Sequence, residues 1–260
     1  MKPWIHVVVG VFGLLLASVS AVGAIPDLSG TWAMVQVYPQ KAVLPFVGEV
    51  ARTSYVVQWV DVSQDGALLT MTDRYCLTFV DDGTSLATTE IPDRFMASLE
   101  PGPRTAALHE DGAEILFVQD PYVEVRGVVL ENPEEDPLPI EPDDPRVFDQ
   151  DGDGHPGMTV RAKILGIIDG ETYVVQRVRY VLRGRMVTPE RIEGALEWSD
   201  EQTILEATNP LLEVETTAYP DPDPSRHVFV MVRVEESSTC EWLGERWRGI
   251  LGLEQEEEAP

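Results

Sequence analysis

The amino-acid sequence predicts an all-β protein, either an antiparallel β-barrel or a two-part β-sandwich, built from an internal duplication. Apolar and polar residues alternate with a period of two through most of the chain, and glycine-containing turns separate these runs. Few windows hold apolar residues at helical spacing without Gly or Pro, and residues 189–196 are the best candidate for a short helical turn. The number and spacing of the runs indicate about 10 to 12 strands, which is typical of a sandwich or barrel.

Residues 1–24 have the pattern of a secretory signal peptide. Lys2 supplies a positive charge, residues 7–19 are almost entirely apolar, and Ala24 ends a run of small residues suited to cleavage. An uncleaved membrane anchor is the alternative, but the apolar run is shorter than the ~20 residues that span a bilayer. We therefore expect a secreted or periplasmic protein whose mature chain has no membrane span.

Two hairpins and several single strands follow along the chain. The dipeptides Asp65-Gly66 and Asp169-Gly170 each separate two alternating runs, which is a strong short-range signal for a hairpin turn. The predicted hairpins join 53–63 to 67–80 and 158–168 to 172–182, and the further strand-like runs are 114–118, 123–130, 228–234 and 242–251.

The second half of the chain repeats part of the first. Residues 54–60 read Ser-Tyr-Val-Val-Gln-Trp-Val and residues 172–178 read Thr-Tyr-Val-Val-Gln-Arg-Val, an offset of 118, at which Gly66 also matches Gly184. The two units are either two halves of one barrel, which we favour, or two small domains. The predicted organisation is a signal peptide (1–24), a first β unit (25–130), an acidic Pro-rich linker or loop (131–148), a second β unit (149–253) and an acidic tail (254–260).

Cys76 and Cys240 are the two cysteines of the chain. In an oxidising compartment such a pair is expected to form a disulfide, with two buried free thiols as the alternative. The bridge would tie the first unit to the end of the second, and this connection is the reason for favouring a single barrel.

Residues 27–32, Asp-Leu-Ser-Gly-Thr-Trp, resemble the Gly-x-Trp start of the first strand in lipocalin and avidin-type secreted barrels. In lipocalins this Trp closes one end of the barrel and packs under an Arg from the last strand. The resemblance implies the same role for Trp32 here, with Arg246 or Arg248 of the last strand-like run as its partner.

A barrel of this kind implies a small apolar or amphipathic ligand in its mouth. The candidate lining residues are Trp32, Trp59 and Trp198, and ordinary core packing is the alternative for each of them.

An Asp-rich loop is the clearest chemical signal in the sequence. Asp149, Asp151 and Asp153 stand at positions 1, 3 and 5 of the loop, Gly154 at position 6 permits a sharp turn, and the backbone carbonyl of His155 stands at position 7. Calcium takes six to eight oxygen ligands, which such a loop can direct at one point. The loop resembles the EF-hand-like calcium loops of thrombospondin type 3 repeats and dockerins, so we expect a structural calcium ion.

The loop departs from a full EF-hand at position 12, where Val160 replaces the bidentate Glu. Water or a carboxylate from elsewhere, such as Asp143, Asp144 or Glu171, would have to complete the coordination. The alternative is a solvated acidic turn without an ion.

The sequence contains no recognisable catalytic motif. Neither Gly-x-Ser-x-Gly nor His-Glu-x-x-His occurs, and the acidic pairs Asp81/Asp82 and Asp200/Glu201 are predicted to lie in solvated hairpin turns rather than in a catalytic cleft. This favours a non-catalytic binding protein. An interaction module that contacts another envelope protein and lacks a cavity, and a hydrolase with an unrecognised carboxylate site, stay open as alternatives.

The charge of the chain limits its partners. With 45 acidic against 19 basic residues, the formal net charge is -26. Nucleic acid and anionic lipid both require a positive field, so neither is an expected partner.

Overall fold

The computed structural model describes residues 25–44, 46–213 and 218–253, and within these ranges the fold is all-β, as predicted. The predicted signal peptide and acidic tail lie outside the described residues. Two α-helices are described, α1 (Asp93–Ser98) and α2 (Cys240–Ile250). The strands are β1 (Gly30–Leu44), β2 (Gly48–Asp65), β3 (Leu68–Asp81), β4 (Ala87–Glu90), β5 (Arg104–Asp111), β6 (Glu114–Gln119), β7 (Tyr122–Arg126), β8 (Met158–Ile164), β9 (Ile168–Thr188), β10 (Arg191–Ala207), β11 (Ala218–Pro220) and β12 (Val228–Arg233).

Eight of these strands form a closed antiparallel ring, so the barrel prediction is confirmed. The hydrogen-bonded order is β1, β2, β3, β5, β6, β9, β10 and β12, and β12 pairs back to β1. Each strand of the ring follows its neighbour in sequence, which is the up-and-down arrangement. The other four strands extend the wall: β7 and β8 pair with β9, β4 pairs with β8, and β11 pairs with β1.

The first predicted hairpin is confirmed, whereas the second has a different turn. β2 and β3 meet at Gly66, but Asp169 and Gly170 lie inside β9, and the turn between β8 and β9 is at residues 165–167. Ile164 and Ile168 pair across that turn and are both buried. A shift by one residue would move both side chains to the other face, so their burial sets the register instead of the Asp-Gly dipeptide.

The two sequence repeats lie in corresponding strands. Residues 54–60 are in β2 and residues 172–178 are in β9, each the first strand of a long hairpin. Gly66 is at a turn, whereas Gly184 lies within β9 opposite Gly194, because the second hairpin is longer. The repeated residues therefore lie in corresponding strands, but the repeated glycine lies at a turn in only one of them. Common descent of the two halves stays a prediction.

Two local predictions were wrong. Residues 189–196, expected to form a helical turn, contain the tight turn before β10 and the start of that strand, where Ile192 is buried. Residues 242–251 were expected to form a strand, but residues 242–250 belong to α2 and Leu251 is its C-cap. Thr239 caps this helix by accepting a hydrogen bond from the amide of Trp242, and Leu243, Trp247 and Ile250 bury one face at helical spacing.

Helix α2 packs on the outside of the barrel against β1, β2 and β3. The predicted disulfide is present: it joins Cys76 of β3 to Cys240, the first residue of α2. In the described part of the chain, no helix combines the length and the apolar character needed to cross a bilayer.

The acidic segment 131–148 lies against the outer face of β9 and is a surface loop. Arg177 donates hydrogen bonds to the carbonyls of Pro133 and Asp136, and Leu138 and Val147 of this segment pack toward Val175. Because of this cover, β9 is buried on both faces over much of its length.

Candidate functional site: the barrel cavity

A cavity of about 180 Å³ lies inside the barrel. It is similar in size to the engineered cavity of about 150 Å³ that binds benzene. Alternate residues of each long strand line it, since successive side chains of a strand point to opposite faces. On β9 and β10 the inward residues are Thr172, Val174, Gln176, Val178, Tyr180, Trp198, Asp200, Gln202 and Ile204.

Strand pairing arranges the lining in levels along the barrel axis. Tyr180 pairs with Trp198, and the Tyr38 ring meets the Trp198 ring edge-on with centroids 5.2 Å apart. The next inward positions, Asp200 and Gln202, are polar, and Ile204 beyond them is apolar. The cavity therefore has an aromatic level, a polar level and an apolar level.

The polar level contains a tight ion pair. Arg126 Nε donates to Glu124 Oε1 at 2.5 Å and Arg126 Nη1 donates to Gln176 Oε1 at 3.0 Å, while the Tyr75 hydroxyl donates to Glu124 Oε2 at 2.5 Å. Burial lowers the pKa of Arg126, but the charge of Glu124 and its hydrogen bond with Arg126, together with other neighbouring groups, outweigh burial, and the pKa is raised. Burial and the same carboxylate raise the pKa of Tyr75. Arg126 is thus charged and Tyr75 neutral at neutral pH.

Arg52 and Asp200 form a looser part of the same level. Arg52 Nε lies 3.8 Å from Asp82 Oδ1, and Gln176 Nε2 donates to Asp200 Oδ2 at 3.2 Å. Burial lowers the pKa of Arg52 and raises that of Asp200, because burial disfavours the charged form of each. Arg52 Nε, Asp200 Oδ1 and the Tyr180 hydroxyl are buried without a hydrogen-bond partner among the described residues.

The prediction of solvated turns was wrong for Asp82, Asp200 and Glu201, whereas Asp81 is exposed at the end of β3 and accepts from the amide of Gly83 in the following turn. Asp200 and Glu201 lie within β10, so one lines the cavity and the other points outward, where it binds Arg177 and Arg179. Asp82 is buried and accepts hydrogen bonds from the amide and the hydroxyl of Thr89, at 2.6 Å and 2.8 Å. Successive side chains of a strand point to opposite faces, so Asp200 and Glu201 have different surroundings.

The three tryptophans proposed as lining residues have different places. Trp198 lines the cavity, and its Nε1 donates to His227 Nδ1 at 2.8 Å. Trp59 belongs instead to the cluster under α2, outside the barrel, where it packs with Trp247.

Trp32 is fully buried in the barrel core and is not among the cavity-lining residues. Its Nε1 donates to the carbonyl of Leu28 at 2.8 Å, and the guanidinium of Arg233 lies 4.7 Å from its ring centroid. The covering arginine therefore comes from β12, the last strand, and the expectation of Arg246 or Arg248 was wrong because both residues belong to α2.

Sequence reasoning did not single out Arg52, Glu124 or Arg126 as site residues. Arg52 is a charged residue at an inward position of β2 whose next inward positions are Ser54 and Val56, and Glu124 and Arg126 are two charged residues at successive inward positions of β7. Such an interruption of the period-two pattern is the signal that could have found them.

The Asp-rich loop brings its three predicted carboxylates together. One ligand oxygen from each of Asp149, Asp151 and Asp153 lies within 4.8 Å of the others. Asp149 accepts from the amides of Gly152 and Gly154, both at 2.8 Å, which coils the loop tightly. The side-chain oxygens therefore converge as the sequence predicted.

A guanidinium shares this cluster. Arg94 of α1 donates from Nη2 to Asp153 Oδ2 at 2.5 Å, and its Nε lies 3.4 Å from Asp151 Oδ2. Asp151 Oδ1 is buried without a partner among the described residues. The cluster thus fits a cation, and Arg94 already supplies part of the positive charge.

The additional calcium ligands suggested from the sequence lie outside the carboxylate cluster. Asp144 binds Arg146 and Glu171 binds Arg161, and neither these residues nor Asp143 belongs to the cluster. The His155 ring stacks on Tyr173 with centroids 4.1 Å apart, and its amide donates to Asp153 Oδ1.

Fold and cavity together define an eight-stranded up-and-down barrel that encloses a small internal site. Comparison of the chain with protein-family models, with curated proteins and with solved structures yields no match.

Proposed function

We propose that this chain is a secreted or periplasmic, non-catalytic barrel protein that binds a small, partly apolar molecule in its interior. The observation that carries the proposal is the cavity of about 180 Å³ with an apolar level, a polar level and an aromatic level. Ligand pockets are concave, mostly apolar and supplied with a few fixed polar groups, and eight-stranded barrels hold one small ligand.

Other features support the location and the type of protein. The signal-peptide pattern of residues 1–24 and the bond between Cys76 and Cys240 both fit an oxidising compartment. Trp32 under Arg233 of the last strand fits the resemblance to lipocalins. These features support the proposed location and the type of protein, whereas the cavity supports ligand binding.

The cavity favours a binding protein over the two alternatives. An interaction module needs no internal space, whereas a hydrolase needs carboxylates free to act on a substrate. Of the two that line the cavity, Glu124 is held by Tyr75 and Arg126, and Asp200 accepts from Gln176. These bonds suit positioning rather than proton transfer.

Toluene tests the proposal, because it matches the cavity in size and polarity. We expect saturation-transfer NMR to detect toluene binding to the wild-type protein and its loss in Val174→Phe, which fills the cavity from β9. Val187→Phe, at an exposed position of the same strand, is the matched control and should bind as the wild type does. Ile204→Phe replaces the first variant if that one unfolds. Absence of binding to the wild type, or equal binding to all variants, would refute the proposal.

The Asp-rich loop favours a second, structural role for a calcium ion. The specific observation is that three carboxylates converge and that Asp151 Oδ1 has no partner among the described residues. The residues present fit the ion in charge and ligand type, with water completing the coordination. Extracellular sites of this kind bind with a Kd of about 10⁻⁴ to 10⁻³ M. The ion would hold the loop in place and take no part in chemistry.

Calorimetric titration with calcium, together with melting curves with and without EDTA, tests this role. We expect Asp151→Asn to weaken calcium binding, and Asp65→Asn, in the exposed β2–β3 turn, to leave it unchanged. Arg94→Gln should strengthen binding, since it removes a cation that competes for the same oxygens. No heat of binding and an unchanged melting temperature would rule out the ion.

A further inference from the structure

The two arginines and two carboxylates that line the cavity differ in how fully they are paired. Arg126 and Glu124 bind each other, and Asp200 accepts from Gln176 at Oδ2, although its Oδ1 has no partner among the described residues. Arg52 is the exception, because no described residue accepts a hydrogen bond from its guanidinium. Its Nε lies 3.8 Å from the nearest carboxylate oxygen, which is beyond hydrogen-bond distance.

Arg52 therefore has donor capacity that no described residue uses. A guanidinium carries five N–H donors and no acceptor, and its side chain here is only 19% exposed. The side chain of Gln202, the inward residue after Asp200 on β10, is exposed and makes no hydrogen bond to a described residue. Together the two residues offer N–H donors, and Gln202 adds one carbonyl acceptor. A ligand that seats here needs a group that accepts from Arg52.

The charges around Arg52 indicate that this group is uncharged. Arg52 and Arg126 are balanced by Glu124 and Asp200 within the lining, and Asp82 beside Arg52 adds one further negative charge. A buried anion would face this excess of negative charge without a compensating cation. A cation could not accept the hydrogen bonds that Arg52 donates. An uncharged acceptor satisfies both conditions.

We infer that the ligand carries an uncharged hydrogen-bonding head, an amide or an alcohol, which accepts from Arg52 and bonds to Gln202. Its apolar body packs against Val56, Val174 and Ile204, which line the cavity beside the polar level. This inference rests on the proposed function and adds the chemical class of the molecule that the cavity takes.

A matched set of six-carbon probes tests the head group. Hexanamide, 1-hexanol, hexanoate and hexylamine share one chain length and differ in charge, and calorimetry or ligand-observed NMR at pH 7 gives their Kd values. We expect the amide and the alcohol to bind at least about 10-fold more tightly than the carboxylate, which faces the excess negative charge, and than the amine, which cannot accept from Arg52. Hexanoate binding as tightly as hexanamide, or more tightly, would overturn the inference.

A substitution of Arg52 separates the head-group claim from the cavity claim. In Arg52→Gln we expect hexanamide to bind about 10-fold to 100-fold more weakly, and toluene to bind as in the wild type. Arg185→Gln, an exposed position on the same barrel, is the matched control and should change neither. Gln202→Leu serves as a second test, with the same expected direction, if Arg52→Gln does not fold.

The outcomes distinguish the two proposals. If toluene does not bind the wild type, the proposed function fails, and the head-group inference fails with it. If toluene binds but the probes are not discriminated, or if Arg52→Gln and Gln202→Leu leave hexanamide binding unchanged, only the head-group inference fails.

Discussion

Asp73 and Arg104 form a buried ion pair beside the four residue pairs that join β3 to β5 and so help close the barrel ring. Arg104 Nε and Nη2 donate to the two carboxylate oxygens of Asp73 at 2.5 Å and 2.6 Å, and Arg104 Nη1 donates to Gln119 of β6. Both charged side chains are 0% exposed. The pair therefore links three consecutive strands of the ring in a site without water contact.

Replacing one partner should cost far more than replacing both. Asp73→Ala leaves the guanidinium buried and uncompensated, which costs about 3 to 5 kcal/mol of unfolding free energy. In the double variant Asp73→Leu with Arg104→Met, both charges and their desolvation cost disappear, so the loss should be smaller than for either single change. Urea unfolding of the wild type, the two single variants and the double variant measures the three differences.

An exposed pair on the same barrel gives the reference. Arg185 and Glu114 are bonded at 3.0 Å but are more than half exposed, so removing either should cost at most about 1 kcal/mol. If the double variant at Asp73 and Arg104 loses as much as the two single losses added together, the two residues do not act as a pair. Desolvation of an unpaired charge would then not explain the losses of unfolding free energy.

Further outcomes follow from other contacts. Asp200→Asn should stabilise the protein above the raised pKa of Asp200 and have little effect below its ordinary value of 3.8, because ionising this buried acid opposes folding as the pH rises. Glu201→Gln should do the opposite and cost stability at neutral pH but not in acid, since Arg179 and Arg177 lower the pKa of Glu201. Urea unfolding at pH 3 and pH 7 compares the two variants. Equal changes in unfolding free energy for both would contradict the assignment of Asp200 to the inner face and Glu201 to the outer face. Replacing Cys76 and Cys240 by Ala should lower the unfolding free energy by up to about 5 kcal/mol for a sequence separation of 164, measured by the same method, and no loss would mean that the bridge does not constrain the unfolded chain.

The strands of the barrel were predictable because alternation of apolar and polar residues marks a strand with one buried face and one exposed face. β2, β3 and β12 each follow an alternating or apolar run between turn residues, and the structure has them there. Helix α2 was not predictable in the same way, because Gly244 and Gly249 interrupt its pattern and only three positions are buried. Its stability depends on packing against the barrel and on the bond to Cys76, which are tertiary features.

The site was predictable only in part, for a related reason. In β9 the run from Thr172 to Val175 is buried on both faces, since segment 131–148 covers the outside, so alternation does not reveal which residues line the cavity. Trp198 was identified by its size alone. The loop carboxylates were predictable because they are local in sequence, whereas the contact of Arg94 with Asp151 and Asp153 depends on how α1 packs.

The acidic composition carries little information about the ligand, because the energetic cost of a charge differs between the surface and the interior. Water screens the many exposed carboxylates, so their number is limited only weakly by stability. Inside the barrel each charge must be balanced or hydrogen-bonded, and the lining accordingly has two arginines against two acids. Among the described residues, the acidic excess is therefore carried mainly by the outer surface and the loops. A preference of the cavity for an uncharged head follows from the local balance around Arg52, and it would hold even if the surface charge were neutralised.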